Sequence, residues 1–377
     1  MKVLGIIVEY NPMHEGHLHH LEKAKELVNP DITIAVMSGN FVQRGEPAII
    51  DKFKRSEIAI KYGVDLVVEL PLVYSVESSD YFCKEAISIL NSLSCTDIVF
   101  GSESGNINDF KEIAKAIYQN EDKYNELIKD SMNEGNRYPD ACNKALSILL
   151  NKQVSTPNDI LGLGYVKEII KNNYNININC IKRTGEYFSL EESDNQSAFN
   201  IRNNLKKGNI PDFLLEKDSF NQLYYLDDFY NYLKYIILTS KNEELQSLHL
   251  VDEGIENALK SNILVSTNME EFINSLTSKR YTRSRIQRMI IHILLKNTKE
   301  DIKKGMNTDF IRVLKMNNNG QKYLSLIKGK TNREIVSNFS KYHHPALDIE
   351  LKGDYLLSLL SDNKIINDEY SNIPIIK

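Results

Sequence analysis

Two histidines near the start of the chain have a spacing that could serve phosphate chemistry. The stretch NPMHEGHLHH (11–20) places His14 and His17 on either side of Glu15 and Gly16, directly after an apolar run. Imidazole N–H groups can donate to phosphate oxygens and stabilise negative charge as it develops. A glycine lets the backbone approach a phosphate closely, and a helix start adds free N–H groups. These residues therefore predict a phosphate cradle.

Two other interpretations of these histidines stay open from the residues alone. Histidines three positions apart on a helix can bind zinc, although no cluster of acidic or cysteine ligands accompanies His14 and His17. The second interpretation is plain solvent exposure, which suits His19 and His20 on the helix that follows. The pattern favours phosphate contacts for the first pair and a bystander position for the second.

The elements that would position the histidines alternate along the first half of the chain. Short apolar segments predict buried parallel strands, and amphipathic segments between them predict helices. The predicted strands are 2–10, 31–39, 65–71, 97–103 and 177–183. This alternation predicts an α/β fold with a doubly wound parallel sheet. Ligands of such sheets bind at the carboxyl ends of the strands, where this chain places polar residues and glycine.

Helical periodicity dominates after about residue 210. It includes FIRVLKMN (310–317), which is predicted to be a helix. We therefore expect two domains, an α/β domain over 1–208 and a mostly α-helical domain over 209–377.

The charge distribution is more informative than the total. The chain has 377 residues, 42% hydrophobic and 26% charged, with a net charge of -5. Residues 279–330 nevertheless contain 14 Lys and Arg against 3 Asp and Glu. A local basic block on an acidic protein favours a surface for a polyanion.

One helical stretch at the start of this block, TSKRYTRSRIQRMIIHILLK (277–296), interleaves cations with an aromatic residue. Its candidate RNA-contacting residues are Lys279, Arg280, Tyr281, Arg283, Arg285 and Arg288. The apolar positions Ile286, Met289, Ile290 and Ile293 would form the buried face, leaving the cations exposed for phosphates and Tyr281 to stack on a base. A solvated charged face is the alternative.

A long loop supplies further candidates. The loop SGNFVQRGEPAIIDKFKR (38–55) carries Gln43, Arg44, Lys52 and Arg55, which could line the site or meet a nucleic acid. A plain surface loop with solvated charges is the alternative.

Cysteine usage and hydropathy limit the class of protein. The four cysteines are scattered without a C-x-x-C pair, which argues against a disulfide framework or a cysteine zinc site. No signal peptide opens the chain, and no apolar run approaches the ~18 residues of a membrane helix. We expect a soluble cytoplasmic protein without a membrane contact, and no protein partner is implied.

The H-x-G-H spacing of His14, Gly16 and His17 after a first strand resembles the signature of the nucleotidylyltransferase and class I tRNA synthetase superfamily. In that superfamily the two histidines contact ATP phosphates. SAFNIRNNL (197–205) resembles its second signature, in which Ser197 and the helix amines would hold phosphates and Arg202 would neutralise them. A serine helix cap followed by an arginine is the everyday alternative.

Longer motifs narrow the resemblance to the bacterial tRNA(Met) cytidine acetate ligase family, over nearly the whole chain. The motifs occur in order as GIIVEYNPMHEGHLHH, VMSGNFVQRGEPAIIDK, GVDLVVELP, FGSESG, PNDILGLGYVKEI and TSKRYTRSRIQRMIIHIL. Met13 and Glu15 depart from the family, which often has Phe and a small polar residue there. We expect neither change to alter the chemistry.

The resemblance implies that 1–208 is a nucleotidylyltransferase-like ATP-binding catalytic domain and that the helical domain over 209–377 carries a basic tRNA-binding surface. It also implies a reaction in two steps. The family activates acetate with ATP, accompanied by Mg²⁺, as acetyl-adenylate, and then acetylates the N4 amine of the wobble cytidine in elongator tRNA(Met). The implied catalytic residues are His14, His17 and Arg202. The implied ATP-binding residues are Ile7, Val8, Glu9, Tyr10, Asn11, Pro12, Gly16, His17, His20, Gly101, Asn158, Arg183 and Ser197. No protein metal site and no acetyl-CoA site are expected.

Two other functions compete with this hypothesis. A nucleotidylyltransferase that adenylylates a small phosphate-containing substrate would use the same cradle, but it has no use for a basic helical half. A non-catalytic RNA-binding protein with a relic nucleotide fold would not need intact His14, Gly16, His17 and Arg202.

Overall fold

The computed structural model of the chain describes residues 1–183, 198–211, 214–361 and 364–376. Its strands are β1 (Val3–Val8), β2 (Ile32–Ser38), β3 (Phe41–Val42), β4 (Glu46–Pro47), β5 (Leu66–Leu70), β6 (Asp97–Ser102), β7 (Asn177–Lys182), β8 (Phe310–Met316) and β9 (Glu334–Val336). In these residues the main sheet has the order β7-β6-β1-β2-β5-β8-β9, and β3 pairs with β4 in a separate hairpin.

Helices flank the sheet and fill most of the C-terminal half. They are α1 (Glu15–Val28), α2 (Lys52–Lys61), α3 (Leu72–Ser75), α4 (Ser79–Ser92), α5 (Ile107–Gln119), α6 (Glu121–Asn133), α7 (Tyr138–Leu150), α8 (Pro157–Lys171), α9 (Ala198–Lys206), α10 (Tyr230–Thr239), α11 (Asn242–Ser247), α12 (Ile255–Val265), α13 (Met269–Leu276), α14 (Arg283–Leu294), α15 (Lys299–Gly305), α16 (Asn318–Ile327), α17 (Pro345–Ser358) and α18 (Lys364–Ser371). Within the described ranges, no helix combines the length and apolar character needed to cross a membrane.

The five strands expected from the sequence are confirmed, and they pair in parallel. β1 lies between β2 and β6, β5 follows β2, and β7 follows β6. Their carboxyl ends therefore meet at one edge, where the loop after β1 leads into α1. That edge is where a parallel sheet binds ligands.

Both faces of the sheet are covered, as a doubly wound fold requires. Along β2, Ile34 and Val36 belong to one core layer and Ala35 and Met37 to the other, and all four are fully buried. Apolar residues of α4, α5 and α8 complete the first layer, and those of α1 and α2 complete the second. The α/β fold class is confirmed.

One segment of the C-terminal half was predicted wrongly. Residues 310–317 were expected to be helical, but Phe310–Met316 forms strand β8. This strand pairs antiparallel with β5 and parallel with β9. All seven residues of β8 are buried, including Arg312 and Lys315, whose charges face Glu369 and Glu57 at 2.8 and 3.3 Å. Arg312 and Lys315 occupy positions that would form the polar face of a helix. The spacing of polar and apolar residues therefore predicted a helix, although both cations are buried in a strand. The rest of the half is mostly α-helical as expected; the division at 208/209 stays a prediction.

Six buried charged side chains connect the N-terminal half of the chain with the C-terminal half. This buried charge cluster consists of Lys52, Glu69, Arg312, Glu350, Asp354 and Glu369. Lys52 Nζ lies 2.9 Å from both Glu69 Oε1 and Glu369 Oε2, and 3.9 Å from oxygens of Glu350 and Asp354. Arg312 Nη2 lies 2.8 Å from Glu369 Oε1.

Burial and neighbouring charges shift the pKa values of Lys52, Glu350 and Asp354 in this cluster. Burial raises the pKa of Glu350 and of Asp354, which favours the neutral, protonated form of both carboxyl groups. Burial opposes the charge of Lys52, but the surrounding carboxyl groups outweigh it and raise the Lys52 pKa. Two cations, Lys52 and Arg312, thus face four acidic side chains, and the raised pKa values of Glu350 and Asp354 lower the net negative charge that is buried.

Candidate active site and basic surface

The loop between β1 and α1 ends in a histidine that caps the helix. His14 Nδ1 accepts the backbone N–H of Gly16 at 3.1 Å. The His14 carbonyl accepts the N–H groups of His17 and Leu18 at 2.8 and 3.1 Å. The expectation that these first-turn amides are free for phosphate is therefore wrong. Because Nδ1 is an acceptor, the neutral His14 ring carries its proton on Nε2 and offers that group as a donor.

Gly16 makes room for this cap. A Cβ at residue 16 would lie 2.9 Å from His14 Cε1 and 3.1 Å from His14 Nδ1. Such contacts would push the imidazole out of its capping position. The glycine predicted to admit a phosphate thus first admits the His14 ring.

Three imidazoles of α1 and its cap gather at the strand edge. The rings of His14 and His17 are 4.0 Å apart between centroids, and Tyr10 lies edge-on to His17 at 5.2 Å. His17 Nδ1 and His20 Nε2 are buried, and within the described part of the chain neither has a hydrogen-bond partner. Buried polar atoms are nearly always paired, so these two nitrogens indicate a ligand.

These imidazoles are neutral at physiological pH. Burial, followed by the positive charge of Arg183, lowers the pKa of His14 and of His20 to about 4. Burial and the neighbouring histidines lower the pKa of His17 still more clearly. Neutral rings donate hydrogen bonds without adding fixed charge, and they avoid the mutual repulsion of clustered imidazolium groups.

His20 was expected from its sequence position to be a solvent-facing bystander, and this expectation is wrong. It is half-buried beside Gly101 and Arg183: a Cβ at residue 101 would lie 4.0 Å from His20 Cδ2 and 3.6 Å from Arg183 Cγ and Cδ. Arg183 is held there because its N–H donates to the Ser102 carbonyl at 2.8 Å, extending the β6–β7 pairing. The spacing of three from His17 was the available signal, since such residues share a helix face.

Asn158 lies at the start of α8, where the loop after β6 holds it. Its side-chain amide donates to Glu103 Oε1 at 2.5 Å, and the Asp159 N–H donates to Glu103 Oε2 at 3.1 Å. Asp159 in turn accepts from Ser102 Oγ at 2.6 Å. Burial opposes ionisation of Asp159, but hydrogen bonds from Ser102 and Ser104 hold its pKa below the usual value. The sequence did not single out Glu103 or Asp159 as binding residues, although Glu103 lies two residues after Gly101 and Asp159 directly follows Asn158.

Arg202 reaches the first loop from α9. Its Nη1 donates to the carbonyls of Asn11 and Ala198 at 2.9 and 3.1 Å, and its Nη2 lies 3.9 Å from Glu46 Oε2. Burial lowers the pKa of Arg202. The structure thus brings Arg202 to the loop of the histidines, while Ser197 lies outside the described residues.

The other residues expected at the first loop shape it. Ile7, Val8 and Glu9 are half-buried at the end of β1, and Tyr10, Asn11 and Pro12 are buried. Glu9 Oε1 accepts the N–H of Gln43 at 2.8 Å, and Asn11 Oδ1 accepts that of Ile49 at 2.7 Å. Burial raises the pKa of Glu9, and the Gln43 N–H and nearby arginines oppose this rise.

Two cations of the 38–55 loop are structural. Lys52 belongs to the buried charge cluster, and Arg55 is fully buried. Arg55 donates to the carbonyls of Glu9 at 2.7 Å and Ser38 at 3.1 Å, which ties together the ends of β1 and β2. The expectation that they line the site as donors is therefore wrong, whereas Arg44 is exposed.

The basic helix α14 has the expected buried face. Its apolar face consists of the fully buried Ile286, Met289, Ile290 and Ile293. Lys279, Arg280 and Arg283 are exposed around its start, where Thr282 caps it. Arg280 pairs with Glu253 at 2.6 Å, and Arg283 Nη1 donates to Glu270 at 2.8 Å.

The remaining candidates at α14, which are Tyr281, Arg285 and Arg288, differ from the expectation. The Arg285 guanidinium lies 4.5 Å from the centroid of the Tyr281 ring, and the Tyr281 hydroxyl donates to the Asp252 carbonyl at 2.9 Å. One face of Tyr281 is therefore covered by a cation. Arg288 is half-buried, and burial lowers its pKa. Its predicted exposure is wrong, and its backbone lies against Gly45 of the β3–β4 hairpin.

One group outside these sites has the side chains of a metal ligand set. Potential ligand atoms of Glu77, His249 and His292 lie within 4.8 Å of one another. The two nitrogens of His292 face the Val76 carbonyl at 3.4 Å and the Asn297 amide at 3.3 Å. Those partners account for the His292 ring without an ion.

Comparison with known proteins extends over the whole chain. The family model described as HIGH Nucleotidyl Transferase matches residues 1–371. The chain is 36% identical over 403 residues to the tRNA(Met) cytidine acetate ligase of Bacillus subtilis (strain 168), covering 100% of this chain and 97% of the relative. It is 40% identical over 359 residues to that of Thermosipho melanesiensis, covering 90% and 84%.

Solved structures agree with the sequence relatives. The chain matches the crystal structure of Thermotoga maritima TmcAL bound with alpha-thio ATP with a TM-score of 0.87 and 31% identity, covering 100% of both chains. The apo form of the same protein matches with a TM-score of 0.86 and 31% identity, covering 100% of this chain and 99% of that one. The similarity thus includes a protein that has been observed with an ATP analogue.

Proposed function

The chain belongs to the HIGH nucleotidyl transferase family and, within it, to the tRNA(Met) cytidine acetate ligases, and from this we propose that it activates acetate with ATP and acetylates elongator tRNA(Met). The product is N4-acetylcytidine at the wobble position. The observation that carries the proposal is the group of three neutral imidazoles at the end of β1, with His17 Nδ1 and His20 Nε2 left without partners in the described residues.

The first step needs a place for a triphosphate. An acetate oxygen forms a bond to the α-phosphorus of ATP, the bond from that phosphorus to the bridging oxygen breaks, and pyrophosphate leaves. His14 and His17 donate hydrogen bonds to the phosphate oxygens on which negative charge builds. Arg183 and Arg202 add positive charge at the two sides of the cradle. Mg²⁺ accompanies ATP in this proposal, held mainly by phosphate oxygens and water.

The second step uses residues from both halves of the molecule. The N4 amine of the cytidine forms a bond to the acetyl carbon, AMP leaves, and the nitrogen loses a proton. The exposed cations around the start of α14 bind tRNA phosphates, and the base is positioned at the acetyl group. We place this reaction in the cytoplasm, where tRNA is modified before use.

The proposal predicts which nucleoside becomes labelled. Incubation with ATP, labelled acetate and total tRNA should label a single modified cytidine in elongator tRNA(Met), as detected by nucleoside analysis. Acetyl-CoA should not be required. Label in another nucleoside, or none in tRNA while a small phosphate compound is adenylylated, would contradict the proposal.

The basic surface predicts a separable effect on tRNA binding. Lys279→Glu combined with Arg283→Glu should weaken tRNA affinity by about tenfold or more and flatten its salt dependence, since each lost phosphate contact removes close to one counterion. Acetate-dependent ATP–pyrophosphate exchange should stay within about twofold of wild type, because neither residue contacts the histidines. Filter binding at several salt concentrations measures the first quantity.

A matched control has the same change of charge on another helix. Lys123 and Lys129 are both exposed on α6. The variant with Glu at both positions should bind tRNA as wild type does. Equal losses in the two variants would show a response to net charge alone and would argue against a binding surface at α14.

A further inference from the structure

The β3–β4 hairpin contacts both the nucleotide site and the basic helix. Its strands pair Phe41 with Pro47 and Val42 with Glu46. In the turn between them, the N–H of Gln43 donates to Glu9 Oε1 at 2.8 Å, directly after β1. This side of the hairpin is therefore attached to the loop that carries the histidines.

The opposite side of the hairpin is attached to α14. Glu46 Oε1 accepts the side-chain amide of Gln287 at 2.7 Å, and Gln287 is almost fully buried. The other Glu46 oxygen lies 3.9 Å from Arg202 Nη2. One carboxylate thus faces both the basic helix and the arginine of the candidate active site.

Gly45 brings the hairpin into backbone contact with α14. A Cβ at residue 45 would lie 2.2 Å from Arg288 N, 2.5 Å from the Gln287 carbonyl carbon and 2.7 Å from Arg288 Cα. These are main-chain atoms of a helix and cannot rotate aside as a side chain would. Gly45 also has a φ of +81°, which favours glycine. Only glycine permits this approach.

From these contacts we infer that the hairpin of residues 41–47 is a positioning element that sets α14, and the tRNA bound to it, relative to the activated acetyl group. The inference rests on the proposed function and concerns its second step alone. Acetate activation needs the imidazoles and not α14. Acetyl transfer requires the cytidine amine within bonding reach, where a displacement of about 1 Å can cost a hundredfold in rate.

Gly45→Ala tests the inference because the added methyl group must separate the hairpin from α14. We expect the single-turnover rate of acetyl transfer to tRNA to fall by about tenfold or more. Acetate-dependent ATP–pyrophosphate exchange without tRNA should stay within about twofold of wild type. The dissociation constant for tRNA should also change little, because the exposed cations are untouched. A general loss of folding would lower both rates and raise the dissociation constant for tRNA.

Gly135→Ala is the matched control for backbone strain. Gly135 has a φ of +87°, and no atom lies within 4 Å of a Cβ placed there. This variant adds the same methyl group in a similar backbone conformation without a collision, so transfer and exchange should both match wild type.

Gln287→Leu is the second variant and keeps the test valid if Gly45→Ala folds poorly. It removes the hydrogen bond to Glu46 at similar side-chain volume, and it should lower transfer more than exchange. Transfer at the wild-type rate in both variants, or an equal loss of transfer and exchange, would overturn the inference. A wild-type protein that exchanges pyrophosphate but never acetylates tRNA would instead overturn the proposed function, and this inference with it.

Discussion

Replacing His17 with alanine is expected to lower acetate-dependent pyrophosphate release by about a hundredfold or more. The His17 ring lies between Tyr10 and His14, and its Nδ1 is a buried polar atom without a partner in the described chain. Removing one donor aimed at developing charge typically costs about 3–4 kcal/mol of transition-state stabilisation. Burial lowers the His17 pKa, so the lost group is a neutral hydrogen-bond donor. Initial rates with ATP and acetate, without tRNA, measure the effect.

Two further variants show whether this loss is specific. His17→Asn keeps a side-chain N–H and should retain more activity than His17→Ala. His19→Ala changes a histidine two positions away on α1 and should release pyrophosphate at nearly the wild-type rate. Unchanged release by His17→Ala would refute the assignment of this residue to the phosphates.

Replacing Lys52 with methionine is expected to destabilise the fold by about 3–5 kcal/mol, the usual cost of removing one partner from a buried ion pair. Lys52 is fully buried and lies 2.9 Å from carboxylate oxygens of Glu69 and Glu369. Without its charge, Arg312 alone faces the acidic groups of the cluster. The free energy of unfolding by urea, compared with that of wild type, measures the loss.

Lys54→Met is the matched control because it makes the same substitution one half-turn along α2. Lys54 pairs with Glu57 at 3.5 Å on the surface, an interaction worth about 0–1 kcal/mol. Equal unfolding midpoints for the two variants would contradict a structural role for the buried charge cluster.

The deficit of Lys52→Met should also depend on pH. Losing the cation raises the pKa of the remaining carboxyl groups in the folded state, so the folded variant binds more protons than its unfolded chain. Stability from such groups is present at low pH and is lost as the pH rises through the folded pKa values. The difference from wild type should therefore shrink as the pH is lowered from neutral. A deficit that grows toward low pH would exclude this explanation.

Much of the N-terminal half could be predicted because its signals are local. Short apolar runs correctly located β1, β2, β5, β6 and β7, since strands buried on both faces need no pattern beyond apolar continuity. The H-x-G-H spacing placed His14 and His17 at the start of α1, where the structure has them. The apolar positions of α14 were likewise correct, because helical periodicity reports a buried face directly.

The errors concern charged residues whose surroundings come from distant parts of the chain. Arg312 made β8 look amphipathic, yet it is buried against Glu369. Lys52 and Arg55 looked like ligand donors in a loop, yet carboxylates and backbone carbonyls enclose them. Burying a charge is unfavourable unless partners are supplied, and sequence periodicity does not reveal those partners.

By itself, the sequence determined which chemical groups follow β1 and that a basic helix comes later in the chain. Tertiary structure decided which of those groups are available to a ligand. It turned His20 toward Gly101 and Arg183, left Arg288 half-buried, and brought Gly45 against the backbone of α14. The physical reason is that hydrogen bonding and desolvation depend on the three-dimensional neighbours of a side chain, whereas strand and helix formation depend largely on its neighbours in sequence.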